Sequence, residues 1–114
     1  MIEYRYGEND PDRFSELARE LVQLKVEVIV PSPGPRAVRA VQRATRTLPI
    51  VMTGTTVDPV KAGFAISLAR PGGNITGLVN LSLDLDGKRL ELVKEAFPQI
   101  SRVAIIGPPP TIQY

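Results

Sequence analysis

Residues 1–6 alternate Ile2, Tyr4 and Tyr6 with Glu3 and Arg5, the two-residue period of a strand with one covered face. Asp10 then offers a side-chain oxygen to free backbone N–H groups, and Pro11 suits a first helical position that needs no N–H. Phe14, Leu17, Ala18, Leu21 and Val22 recur at three- and four-residue steps, so a helix with one apolar face follows. Val26 to Val30 is short, β-branched and almost wholly apolar, the pattern of a parallel strand covered on both faces. After the breakers around Pro31 to Pro35, a second helix is expected to about Thr45, with Ala37, Val38, Ala40, Val41 and Ala44 facing inward. Leu48 to Met52 reads as another buried strand.

Asp58 and Pro59 repeat the cap-then-proline signal. They predict a helix through Val60, Phe64 and Leu68 that stops near Arg70, because Pro71, Gly72 and Gly73 cannot continue it. Ile75 to Val79 is expected to be a strand. After Ser82 a helix to about Phe97 would carry Leu90, Val93 and Phe97 on one side, with Asp84 placed to pair with Lys88. Val103 to Ile106 closes the series as a strand. Strand and helix thus alternate throughout, which predicts an α/β fold with a parallel sheet and helices on both faces. The chain opens directly on a strand and ends in "GPPPTIQY" with no helix behind its last strand, so the expectation is a piece of a longer fold.

Composition narrows the chemistry more than the fold. With 114 residues there is room for one core. No apolar run reaches the roughly 18 residues of a membrane span, and no charged-then-apolar leader opens the sequence, so as written the chain is expected in the cytoplasm. The sequence has no cysteine and no histidine, which removes disulfides, thiolate nucleophiles, the commonest general base and the commonest metal ligands. No cofactor and no metal site are expected. A net charge of +2 and few aromatic residues argue against nucleic acid. Arg36, Arg39, Arg43 and Arg46 form a basic stripe if their segment is helical, read either as a solvated face or as a contact for an acidic partner.

In an open parallel sheet, ligands bind beyond the carboxyl ends of the strands. Two loops qualify: Ser32, Pro33 and Gly34, and then Thr53, Gly54, Thr55 and Thr56 leading to Asp58. Each precedes an expected helix whose free N–H groups and positive dipole end favour an anion, and each supplies hydroxyl donors. Such groups could grip a small carboxylate without transforming it. The structural alternatives are that Ser and Thr satisfy turn backbone and that Asp58 only caps a helix. No P-loop or G-x-G-x-x-G fingerprint exists, and a hydroxyl nucleophile would have only Lys61 or a carboxylate for a base, so no enzyme is expected.

The stretches "IEYRY", "RFSELARELVQLKVEVIV", "TLPIVM", "DPVKAGFAISLARPGGNITG" and "GKRLELVKEAFPQISRVAII" together resemble the ABC transporter substrate-binding proteins of the TrpX type, in the same order and spacing. The most specific piece is DPV followed by SLARPGGNITG. The resemblance implies a type I periplasmic binding fold, in which two Rossmann-like lobes close on a small solute such as tryptophan or tyrosine. On that basis residues 1–80 are expected to be first-lobe βα units without their first strand, and 81–114 the crossover helix and first strand of a truncated second lobe. Ser32 to Gly34 and Thr53 to Thr56 with Asp58 match the family's cleft loops, and Asn74 and Thr76 its turn before the crossover. The resemblance also implies a periplasmic or lipid-anchored protein working with an ABC permease. A half cleft should bind weakly or not at all, and the alternative expectation is homodimerisation driven by uncovered faces, with exchange of the 82–106 segment between chains as one route.

Overall fold

In the computed structural model, which describes residues 1–8, 10–32, 34–80, 85–104 and 106, the element order is α1 (Pro11–Gln23), α2 (Pro35–Ala44), β1 (Ile50–Thr55), β2 (Ile75–Val79) and α3 (Asp86–Ala96). The chain divides into two compact units, Met1–Leu83 and Asp84–Tyr114.

In the first unit, the Asp10 carboxylate accepts from the Asp12 N–H at 3.0 Å and Pro11 fills the first turn of α1, as the cap signal predicts. The helix ends at Leu24, and Lys25 reverses the chain in the left-handed region at φ 55°. α2 begins at Pro35 and buries Ala37, Val38, Ala40 and Val41. Both helices contribute to one core: Ala18 of α1 joins Val38 and Val41 of α2 around Ile29, Ile50, Met52 and Ile75 of the sheet.

β1 and β2 pair in parallel, with Ile50 opposite Ile75 and Met52 opposite Gly77. On the other side of β1, Ile29 forms a single parallel bridge to Ile50, with Ile29 N–H donating to Pro49 O and Val51 N–H donating to Ile29 O, both at 3.0 Å. The apolar stretch 26–30 is therefore a one-residue bridge instead of the expected strand. Ile29 is buried, whereas Val28 and Val30, pointing the other way, are exposed together with Leu78 of β2. Asn74 fastens the entry to β2 by donating from its side chain to Leu48 O at 2.8 Å, while its own carbonyl accepts from Ile50 N–H at 2.8 Å.

Besides the strand at 26–30, three expected elements are absent among the described residues. Residues 1–6 form no strand, and Ile2, Tyr4 and Tyr6 are all exposed. The segment is held instead by Arg5, which bridges to Glu20 of α1 at 2.7 Å and to Glu3. Alternation gives a strand its faces, but a strand also needs a neighbour for its N–H and C=O groups, and this one has none. Of residues 103–106, Val103, Ala104 and Ile106 are described and carry no strand.

The third correction is the helix expected from Asp58 to Arg70, which is a single turn. Gly63 N–H donates to Val60 O and Phe64 N–H to Pro59 O, the paired bonds of a Schellman cap, with Gly63 at φ 73° as its left-handed residue. A glycine five positions after the cap ends the helix before its apolar periodicity can be used. Across "RPGGN" the chain bends at Gly73 and Asn74 with no backbone hydrogen bond of its own, and the bond from Ile66 N–H to Pro71 O closes the loop before it.

In the second unit α3 carries the surface ion pairs Arg89–Asp86 and Lys88–Glu91 at 2.8 Å each. Asp84, the expected partner of Lys88, lies outside the described residues, as do Ser82 and the "GPPPTIQY" end. Lys94 donates to the carbonyls of Pro98 and Ile100 and so ties the chain after α3 back to the helix.

The tightest constraint on the sheet is Gly77, at φ 141°, where an added Cβ would stand 2.0 Å from Met52 O. Gly77→Ala is expected to cost about 3 kcal/mol or more in urea unfolding through overlap and backbone strain. Gly73→Ala, where a Cβ meets nothing within 4 Å, should stay within about 0.5 kcal/mol of the parent. Equal midpoints for the two variants would refute the close approach of β1 and β2.

Candidate functional site

The carboxyl end of β1 is built around a bulge. From Met52 to Thr55 β1 advances three residues while β2 advances two, from Gly77 to Val79. The extra residue is accommodated at Gly54, which adopts φ 65°. Without the bulge, the two-residue period would carry Ile50, Met52 and position 54 inward and leave Thr55 outward. With it, the phase flips: Gly54 is exposed and Thr55 is fully buried. Thr53 to Thr55 are thus the last residues of the strand, not the loop that the sequence suggested.

The side chains expected in the second loop separate into two groups. Thr55 turns inward and its hydroxyl accepts from Val57 N–H at 3.4 Å, so it closes the turn after the strand. Asp58 accepts from Val60 N–H at 2.8 Å and from Lys61 N–H at 3.3 Å, capping the short turn. Thr56 and Gly54 are exposed and Thr53 is half-buried. Around Gly54 there is open space: a Cβ added there would meet no atom within 4 Å. In the first loop Ser32 is exposed, Gly34 is half-buried at φ 89° and precedes the first turn of α2, and Pro33 lies outside the described residues. Asn74 is spent on Leu48 O and on Thr45 O, and Thr76 is exposed.

Two contributors to this region went unrecognised in the sequence. Arg39, read there as part of a solvated stripe, is half-buried and donates to Ala62 O at 2.8 Å, with its guanidinium 4.9 Å from the centre of the Phe64 ring. Gln42, one turn further along α2, donates to Gly63 O at 2.8 Å. Their three-residue spacing placed them on one helical face, but nothing local marked the carbonyls they would meet. Arg36, Arg43 and Arg46 are exposed.

Among the described residues no group of three or more acidic side chains is placed to hold a metal ion. A hollow of about 440 Å³ lies elsewhere, within the second unit, lined by Leu90, Val93, Lys94, Ile100, Ser101 and Val103. It is a poor candidate for a polar solute, because Lys94, the cation in its wall, already donates to Pro98 and Ile100. What the first unit offers is backbone and hydroxyl hydrogen-bonding capacity at a strand end, an arrangement suited to holding a polar group.

A profile of the family described as ABC transporter substrate binding protein matches residues 1–111. The chain belongs to this family. Among curated proteins it is 38% identical over 106 residues to a tyrosine-binding protein of Clostridioides difficile, an alignment that takes in 92% of this chain and 29% of that one. Among solved structures, a conserved domain protein from Vibrio cholerae aligns with TM-score 0.73 at 34% identity, over 87% of this chain and 32% of that one. An ABC domain in complex with L-Trp from Streptococcus pneumonia aligns with TM-score 0.64 at 29% identity, over 68% of this chain and 26% of that one. The ligand-free, open structure of a substrate binding protein with adhesive properties from Clostridium difficile gives TM-score 0.67 at 28% identity, over 86% and 32%. The chain therefore spans about 29% of the length of the tyrosine-binding relative, and its α/β architecture is that of this substrate-binding family.

The division of labour at the strand end can be measured. Asp58→Ala should lose about 1 kcal/mol of stability through the uncapped Val60 and Lys61 amides, and Asp58→Asn should retain most of it. An alanine variant as stable as the parent in chemical denaturation would assign the aspartate to something other than capping.

Proposed function

We propose that this ABC transporter substrate-binding chain contributes one wall of a solute cleft, and that Ser32, Thr53, Gly54 and Thr56 offer hydroxyl and backbone donors to a small amino-acid ligand. Gly34 shapes the first of the two rims, while Thr55 and Asp58 hold the second in place. The observation that carries this reading is the bulge at Gly54, which leaves a hydroxyl-rich strand end open in a chain of a substrate-binding family. An aromatic amino acid is the favoured class, since one relative is a tyrosine-binding protein and another was crystallised with L-Trp.

In this reading residues 1–80 are first-lobe units and 81–114 the start of a second lobe, and hinge closure of the two lobes buries the solute without making or breaking a bond. The whole protein would work outside the cytoplasm with an ABC permease. Among the described residues no helix is long and apolar enough to cross a membrane. Self-association is a second reading, favoured by a specific feature: Leu90, Leu92 and Val93 of α3 and Phe97 just after it are all exposed. A helix of this length is marginal alone and gains stability from a covered apolar face.

Because one wall buries only part of a ligand, L-tyrosine and L-tryptophan are expected to bind this 114-residue chain with dissociation constants on the order of millimolar or weaker. Isothermal titration with the twenty amino acids checks this, and submicromolar affinity for any of them would contradict the partial cleft. Sedimentation at high micromolar concentration addresses self-association, which a purely monomeric chain would exclude.

A further inference from the structure

α2 does more than cover the sheet. Val38 and Val41 face the core, while Arg39 and Gln42, three residues apart on a neighbouring face, reach across to the turn that follows β1. Their acceptors, Ala62 O and Gly63 O, are the last carbonyls of the short turn begun at Asp58. Carbonyls at such an end carry partial negative charge and lack intrahelical partners, so a guanidinium is the favoured donor. Stacking of Arg39 over the buried Phe64 ring adds a second fixed point. The turn is therefore anchored at both ends: at its start by the Asp58 carboxylate on Val60 and Lys61, at its finish by two side chains of α2.

We propose that Arg39 and Gln42 are positioning residues for solute binding, tying the Thr53–Thr56 rim to α2 so that the rims before α2 and after β1 move as one body. The inference rests on the reading of Thr53, Gly54 and Thr56 as solute-facing positions. Gly54 is left-handed with open space around it and contributes no side-chain contact. Beyond it the strand end is held by the fully buried Thr55, which pairs with Val79 and whose carbonyl accepts from Asn80 N–H at 2.8 Å, and the two α2 bonds add a second support at the turn that follows. The Schellman turn and α2 provide that support without placing any further side chain in the open space at Gly54.

The test compares the parent chain with Arg39→Met, which keeps an apolar stem over Phe64 but loses the donors, and with Arg39→Lys, which restores charge and one donor. In amide NMR spectra Arg39→Met should shift Thr53, Gly54 and Thr56 as well as Ala62 to Phe64, and raise amide exchange of Ala62 to Ala65 at least tenfold. Exchange at Ile50 and Val51 should stay as in the parent, which separates a local effect from general loss of stability, and Arg39→Lys should recover part of the protection. Titration with L-tyrosine and L-tryptophan in the millimolar range should give dissociation constants several-fold weaker for Arg39→Met. Should that variant fail to fold, Gln42→Ala, which removes only the bond to Gly63 O, carries the same expectations at smaller amplitude. Shifts confined to Ala62 to Phe64, with Thr53 to Thr56 unmoved, would overturn the inference, as would unchanged affinity in a parent that binds. A parent that binds neither amino acid would refute the proposed solute, and the shifts at Thr53 to Thr56 would still decide whether α2 positions the rim.

Discussion

Ile50 is the point on which the first unit turns. It is fully buried, it pairs with Ile75 in register, and Ile29 bridges to it from the other side. Its N–H donates to Asn74 O while the adjoining Pro49 O and Val51 N–H are taken by Ile29. One residue thus collects three chain segments far apart in sequence. Removing its side chain to alanine belongs to the class of core truncations that cost about 2–5 kcal/mol, since α2 would lose the surface that Val38 packs against. Asn74 acts in support: its side chain, bonded to Leu48 O, keeps the approach to β1 and the entry to β2 at one spacing.

From that anchored start, β1 and β2 stay close as far as Met52 and Gly77, and the absence of a Cβ at Gly77 allows the approach. Beyond it the strand is released by Gly54. A parallel ladder that kept its phase would have turned Thr55 toward solvent and put residue 54 in the core. The bulge buries the Thr55 hydroxyl over the Val57 amide instead and leaves Gly54 open. Packing at one end of the strand and hydrogen-bonding capacity at the other are consequences of two glycines with opposite tasks.

Much of this was legible in the sequence where local chemistry decides the outcome. Asp10 with Pro11, the apolar face of α1, and Pro35 with the alanine and valine face of α2 formed close to their expected bounds, because caps and periodicity act within a few residues. Ile75–Val79 formed as the expected strand, whereas β1 runs Ile50–Thr55 and not the expected Leu48 to Met52. What failed depended on distant partners or on a single glycine. Residues 1–6 alternate like a strand and pair with nothing, and residues 26–30 pair at Ile29 alone. The apolar positions of residues 60–68 mimic a helix, but Gly63 closes it after one turn. In the candidate site Ser32, Gly54 and Thr56 are exposed, with Gly54 inside β1 and not in the expected loop after it, and Ser32 following a one-residue bridge and not a strand. The inward turn of Thr55 required knowing the bulge, and the role of Arg39 required knowing which carbonyls α2 would face.

On the proposed reading, Thr55 and Asp58, the two positions least available to a ligand, act on it indirectly. Thr55 and Asp58 spend their oxygens on Val57, Val60 and Lys61, the amides that a loosened chain would present to water. A binding rim made of backbone and hydroxyl donors is only as selective as its geometry, because each donor alone accepts almost any polar partner. Selectivity would then come, on this reading, from how rigidly Thr53, Gly54 and Thr56 are held relative to one another. The groups placed to supply that rigidity are the Thr55 hydroxyl, the Asp58 carboxylate and the two donors of α2. On the same proposed reading, substitutions behind the rim bear on recognition as well as substitutions on it.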